Sequence, residues 1–181
     1  PNSIKIGMVS SPEIILDIAE SLKKYPCKYI VVDPVMISKS GYSLLRPEAK
    51  ENLIKYLIPM AYIVTPNIPE AEEISNMKIE TVEDMKKAGK EILKLGPKYV
   101  LMKGGHLEGD AVDILIGEDT FEIYKSERID RKNTHGTGCT ISSAITSHLA
   151  LGYDIKEAVK LSKEYITEAI RHSFDMGHGV G

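Results

Sequence analysis

The residues best suited to chemistry lie in one stretch, Asn133-Thr134-His135-Gly136-Thr137-Gly138-Cys139-Thr140, followed at once by the small and apolar run Ile141-Ser142-Ser143-Ala144-Ile145. Two glycines free the backbone to turn, and the run after them predicts a helix. The amides of Gly136, Thr137 and Gly138 would then point into one small space at the positive end of that helix, which is an anion site. Cys139 falls in the same first turn, where a thiolate is favoured and could accept a proton. Asp33 ends the β-branched run Tyr29-Ile30-Val31-Val32. Asn67 and Glu70 follow Tyr62-Ile63-Val64-Thr65, and Lys103 follows Tyr99-Val100-Leu101-Met102. An anion pocket, a lysine and two acidic residues suit magnesium-assisted phosphoryl transfer. Its transition state spreads negative charge that amides, a cation and a metal ion stabilise, while one group takes the acceptor's proton.

Each of these residues also has a purely structural reading. On composition alone Cys139 reads better as a small hydrophobe at a helix start. Asn67 and Glu70 have the spacing of an N-cap with a reciprocal carboxylate, a reading that ranks above metal binding from spacing alone. Asp33 could close an Asx-turn before Pro34 and Lys103 could be a solvated strand end, on level terms with the functional readings. His135 and His106 are candidates for ligand contact. His148 is expected on a helix face packed against the sheet, and His172 on the surface. Neither a Walker-type phosphate loop nor a full Gly-x-Gly-x-x-Gly fingerprint occurs.

The elements that would carry these residues alternate in type. Ile4 to Val9 reads as a buried strand, and Ser11-Pro12-Glu13 opens a helix with Ile15, Ile18, Ala19 and Leu22 as its apolar stripe. After the strand ending at Asp33, residues 35–43 read as a loop long enough to cover something. Pro47 then opens a helix that carries Leu53, Ile54 and Leu57 inward and stops near Pro59. Pro69 starts a short helix through Ile74, and Thr81 to Asp84 forms a capping box for a helix with Val82, Met85, Gly89 and Ile92 on one face. The segment 111–116 and Phe121 to Tyr124 predict a hairpin around Gly117-Glu118-Asp119. A helix with Ile141, Ala144, Ile145, His148 and Leu149 on one side follows the glycine turn. A second helix carries Ile155, Ala158, Val159, Ser162, Ile166, Ala169 and Ile170, and a glycine-rich tail ends the chain. This alternation predicts a mostly parallel α/β sheet with helices on both faces, joined by right-handed crossovers. In such a sheet the ligand crevice lies outside the carboxyl ends of the strands, where Met8, Asp33, Asn67 and Lys103 stand.

The 181 residues, 43% hydrophobic and 27% charged, describe one ordinary globular domain over residues 1–181, with no repeat or linker. A net charge of -3 and a pI near 6.0 provide no basic stripe, which argues against nucleic-acid binding. Cys27 and Cys139 match no metal or disulfide pattern, and no apolar run approaches a membrane span, so the cytoplasm is the expected location. The chain begins with Pro1 rather than Met, and its opening resembles an interior strand. Residues upstream are therefore expected to be missing.

Asp33-Pro34-Val35-Met36, Thr65-Pro66-Asn67-Ile68-Pro69-Glu70-Ala71, Met102-Lys103-Gly104-Gly105-His106 and the motif from Asn133 to Thr140 stand in the order found in hydroxymethylpyrimidine and phosphomethylpyrimidine kinases. The chain resembles that family, in the ribokinase superfamily, from Lys5-Ile6-Gly7-Met8 to its tail. The resemblance implies a ribokinase-like three-layer fold and ATP-dependent phosphorylation of 4-amino-5-hydroxymethyl-2-methylpyrimidine and then of its monophosphate. It implies Cys139 as catalytic base, with Gly136, Thr137 and Gly138 as the anion hole. Asp33 and Glu70 would organise Mg2+, and Lys103, Asn67 and Thr134 would meet the nucleotide. Met8 and Cys139 would line the pyrimidine pocket.

Family members carry a first strand and a glycine-rich loop before the position of Ile4, so the first strands are expected to be missing from the sheet. An exposed edge that a second copy would cover as a homodimer follows, as does weak phosphorylation by these 181 residues alone. A pyridoxal kinase of the same superfamily and a non-catalytic ligand-sensing domain are the competing readings.

Overall fold

The structure is a computed structural model that describes residues 1–37, 43–105, 111–129, 131 and 134–174. His106, Asn133 and the glycine-rich tail lie outside the described residues. Strand β1 (Ser3–Ile6) leads into helix α1 (Pro12–Lys24), where the Ser11 hydroxyl accepts the Ile14 amide and Pro12 occupies the first turn. Strand β2 (Tyr29–Val32) ends at Asp33. The covering loop expected over 35–43 is partly outside the described residues, and the bridge between Ile37 and Ser43 closes its base. The helical segment that α2 (Pro47–Asn52) opens stops near Pro59, as expected. It continues past Asn52 as a π-turn (Leu53–Leu57) and a 3-10 turn (Ile58–Met60), which bury Leu53 and Leu57, also as expected.

Strand β3 (Ile63–Val64), α3 (Ile68–Ser75), α4 (Val82–Leu93) and β4 (Tyr99–Lys103) follow, and then the hairpin of β5 (Ala111–Gly117) with β6 (Phe121–Ser126). Helices α5 (Thr137–Ala150) and α6 (Ile155–Arg171) complete the chain. The described strands form one sheet in sequence order, parallel from β1 through β4 and antiparallel across β4, β5 and β6.

Alternation along the strands sorts the core into layers. Val31, Ile63, Leu101 and Leu115 face Ile141, Ile145 and Leu149 of α5 and Ala158 and Val159 of α6. On the other face Val32 and Val64 meet α1 and the α2 segment, while Val100, Met102, Ile114 and Ile116 meet α3 and α4. This is an α/β three-layer arrangement with helices on both sides of a mostly parallel sheet. Among the described residues no helix is long and apolar enough to cross a membrane.

Three helical expectations are corrected. Val82, at the first position of α4, is 38% exposed, because the core face is set by Met85, Ala88, Gly89 and Ile92. Ala169 is exposed on α6, whose apolar face in this stretch is carried by Ile166 and Ile170. His148 does not pack on the sheet. Its Nδ1 lies 3.0 Å from the Ser162 hydroxyl of α6 and its ring packs edge-on against Tyr153.

Candidate functional site

The carboxyl ends of the four parallel strands make one rim. Asp33 follows β2, Asn67 follows β3, and Lys103 is the last residue of β4, bridged to Asn67. The alternation that sends Val31 and Leu101 toward α5 sends Asp33 and Lys103 the same way. There the Lys103 Nζ donates to Asp33 Oδ1 at 2.9 Å. Asp33 is 1% exposed and accepts two further hydrogen bonds, from the Thr65 hydroxyl to Oδ1 (3.1 Å) and from the Ser142 hydroxyl to Oδ2 (3.1 Å). One carboxylate thus ties together β2, β3, β4 and α5. Sequence reasoning does not single out Thr65 or Ser142 as site members; the only signal is a hydroxyl at a strand end and another in a small-residue run.

Helix α5 starts over this cluster. Gly136 is its N-cap with φ of 77°, a left-handed conformation that favours glycine, and it has no side chain to cap the first turn. No acidic side chain stands in that turn either. A Cβ at Gly138 would come within 3.2 Å of the Lys103 Nζ, so this second glycine lets the ammonium sit against the start of the helix. Thr137 stabilises the turn by donating its hydroxyl to the Thr134 carbonyl at 3.0 Å. Cys139 is exposed with a free thiol, so it is not the buried hydrophobe its composition allowed. His135 is also exposed. Amides, dipole and ammonium converge on one point, which can hold a polyanion.

The carboxylate of Glu70 is near enough to feel the charge of Lys103. Both bonds of the α3 capping box are formed, with the Asn67 amide donating to Glu70 Oε2 and the Glu70 amide donating to Asn67 Oδ1, each at 2.9 Å. Glu70 is only 2% exposed. Burial pushes its carboxyl up to about 7 against the pull of the Lys103 charge and the Asn67 amide, and the negative charge of Asp33 adds to the rise. Asp33, Lys103 and Glu70 therefore act on one another electrostatically.

Met8 follows β1 on the same rim and is 56% exposed, without a described contact to the cluster. Among the described residues no three His, Cys, Asp or Glu side chains are grouped to hold a metal ion by themselves. Two carboxylates near a helix start that can hold a polyanion nevertheless fit magnesium, a hard cation that takes one or two carboxylates and completes its shell with phosphate oxygens and water. A separate surface cavity of about 610 Å³, lined by Met36, Leu45, Arg46, Lys50 and Glu73 among others, shares no residue with this cluster.

The family model described as phosphomethylpyrimidine kinase matches residues 1–181. The chain is 47% identical over 179 residues to a thiamine biosynthesis bifunctional protein of Geobacter sulfurreducens, covering 98% of this chain and 36% of that protein. It is 72% identical to a crystal structure of phosphomethylpyrimidine kinase from Clostridium difficile 630, with a TM-score of 0.85 over 94% of this chain and 69% of that one. An ADP complex of Bacillus subtilis pyridoxal kinase is 41% identical with a TM-score of 0.89, covering 97% of this chain and 66% of that one. The chain thus spans about a third of the bifunctional relative and about two thirds of these single kinases.

Proposed function

The chain belongs to the phosphomethylpyrimidine kinase family, and from that premise we propose that it serves ATP-dependent phosphorylation of 4-amino-5-hydroxymethyl-2-methylpyrimidine and of its monophosphate. The observation that carries this reading is the Lys103 ammonium, held by Asp33 and seated against Gly138 at the uncapped start of α5. A transferring phosphoryl group needs such a convergence of fixed positive ends, because most of the catalysis lies in positioning and charge stabilisation.

In this mechanism the alcohol oxygen of the pyrimidine attacks the γ-phosphorus of ATP. A new oxygen–phosphorus bond forms, the bond to the β-phosphate oxygen breaks, and ADP leaves. The alcohol proton passes to the Cys139 thiolate. The first-turn amides and Lys103 hold the phosphoryl oxygens, Asn67 and Thr134 lie toward the nucleotide, and Met8 lines the pyrimidine side. Asp33 and Glu70 would hold Mg2+, which neutralises phosphate charge when bound. Both carboxylates are buried and already hydrogen-bonded, Asp33 by Lys103, Thr65 and Ser142 and Glu70 by the Asn67 amide, so those bonds must be shared or exchanged before either meets the ion.

The 41% identity to pyridoxal kinase favours pyridoxal as a second acceptor to be tested. Specificity constants measured side by side on the two alcohols with the complete protein decide between them; turnover of neither would reject the proposed reaction. Cys139→Ala in the complete protein should lower kcat about 100-fold or more, the usual weight of a general base, with ADP affinity nearly unchanged. Wild-type turnover in that variant would remove Cys139 from the chemistry.

A further inference from the structure

A second buried ion pair lies one strand beyond Lys103 and takes no part in the mechanism above. Asp113 of β5 is 6% exposed and Lys163 of α6 is 8% exposed. The Lys163 Nζ donates to Asp113 Oδ2 at 2.6 Å and to the Ala111 carbonyl at 3.2 Å. Asp113 Oδ1 accepts the Gly104 amide at 3.0 Å, a close approach possible because residue 104 has no Cβ, which would lie 2.0 Å from the Val112 carbonyl oxygen.

The register gives this pair its meaning. Asp113 is the direct cross-strand partner of Lys103, and both stand two residues from Leu101 and Leu115, on the face covered by α5 and α6. Residues so opposed have Cβ atoms about 5 Å apart, and opposite charges in that relation attract. Lys103 nevertheless sends its ammonium to Asp33, two strands away in the sheet. Both oxygens of Asp113 are already engaged, one by Lys163 and one by Gly104. A buried carboxylate without its counter-ion is costly, so loss of Lys163 would leave Asp113 to draw in the cation facing it.

We infer that Lys163 is a positioning residue for the phosphate site: by neutralising Asp113 it leaves Lys103 committed to Asp33 and the first turn of α5. The inference rests on the reading of Lys103 as a nucleotide-phosphate contact. ADP titration of the complete protein by calorimetry, with thermal melting as a control for folding, tests it without requiring turnover. Lys163→Met should weaken ADP binding about tenfold, the lower end of what loss of a supporting residue costs a site. Lys163→Arg should bind like wild type. Adding Asp113→Asn to Lys163→Met should restore most of the lost affinity, because the amide that replaces the carboxylate carries no charge with which to draw Lys103 away.

A purely structural pair would lower the melting temperature in these variants without moving ADP affinity. Wild-type affinity in a folded Lys163→Met protein therefore overturns the inference, as does a double variant as weak as the single one. If Lys163→Met does not fold, Asp113→Asn alone decides: it should bind ADP at wild-type strength, and weak binding or loss of fold there overturns the inference. A wild-type protein that binds ADP but phosphorylates neither alcohol would overturn the proposed reaction alone, whereas one that binds no ADP would overturn both.

Discussion

Glu70 illustrates how little of a side chain's behaviour follows from its type. Its place in the capping box fixes the carboxylate, burial raises its pKa to about 7, and Lys103 and Asp33 act on it in opposite senses. A carboxyl whose folded value lies above its ordinary 4.5 supports folding fully below about 4.5, and that support is lost as the pH rises through about 7. Glu70→Gln removes the ionisation. The melting temperature of Glu70→Gln relative to wild type should therefore rise between about pH 4.5 and pH 7, where the unfolded chain releases the proton that the folded wild type keeps. A difference that stays flat with pH would mean that burial does not set this group. The same variant should weaken the dependence of turnover on magnesium, and an unchanged magnesium titration would return Glu70 to a capping role alone. The capping reading and the metal reading of Asn67 and Glu70 need not compete, since the box engages Oε2 and leaves the second carboxylate oxygen outside it.

At the scale of the element, the start of α5 is the proposed counterpart of a phosphate loop, without the Walker sequence. Gly136 supplies a left-handed turn, and Gly138 supplies room for a cation rather than backbone freedom. Gly138→Ala puts a Cβ 3.2 Å from the mobile end of Lys103, which can shift by a few tenths of an ångström. Stability should barely change, while ADP affinity falls several-fold because the ammonium is displaced from the anion site. Equal loss of melting temperature and affinity would show instead that Gly138 is a backbone requirement. The helix is anchored by Ser142, whose hydroxyl reaches Asp33 from one turn inside α5. In the sequence the serines at 142 and 143 read as small residues that permit close packing; only a structure could show one of them bonded to the strand end beneath it.

Across the whole molecule, the site depends on the two helical layers being held at fixed distance from one sheet. On the face away from α5, Gly89 of α4 lies so close to β5 that a Cβ would meet Ile116 Cδ1 at 2.2 Å. Gly89→Ala should destabilise by about 1–3 kcal/mol through overpacking, a fall of several degrees in the melting temperature of a chain this size. An unchanged melting temperature would mean that Ile116 has room to move aside. On the site face, the last two helices return across the sheet from its first strand to its fifth: the Ser3 hydroxyl donates to the Thr146 carbonyl at 2.8 Å, and Lys163 reaches β5. Strand β1 stands at one edge of the described sheet and β6 at the other.

By itself the sequence determined the alternation of strands and helices, the capping boxes, the helix at residue 137 and the rim that Asp33, Asn67 and Lys103 share. These follow from local periodicity, prolines, glycines and the rule that parallel strands end on one side. It also carried the motifs that matched a kinase family. Only the tertiary structure decided which charges meet. Asp33 pairs with Lys103 across two strands, Lys163 takes Asp113, and Glu70 is buried enough to hold its proton near neutrality. These two ion pairs join residues 70 and 50 positions apart. They depend on register, helix placement and the water excluded between layers, none of which leaves a mark in local sequence.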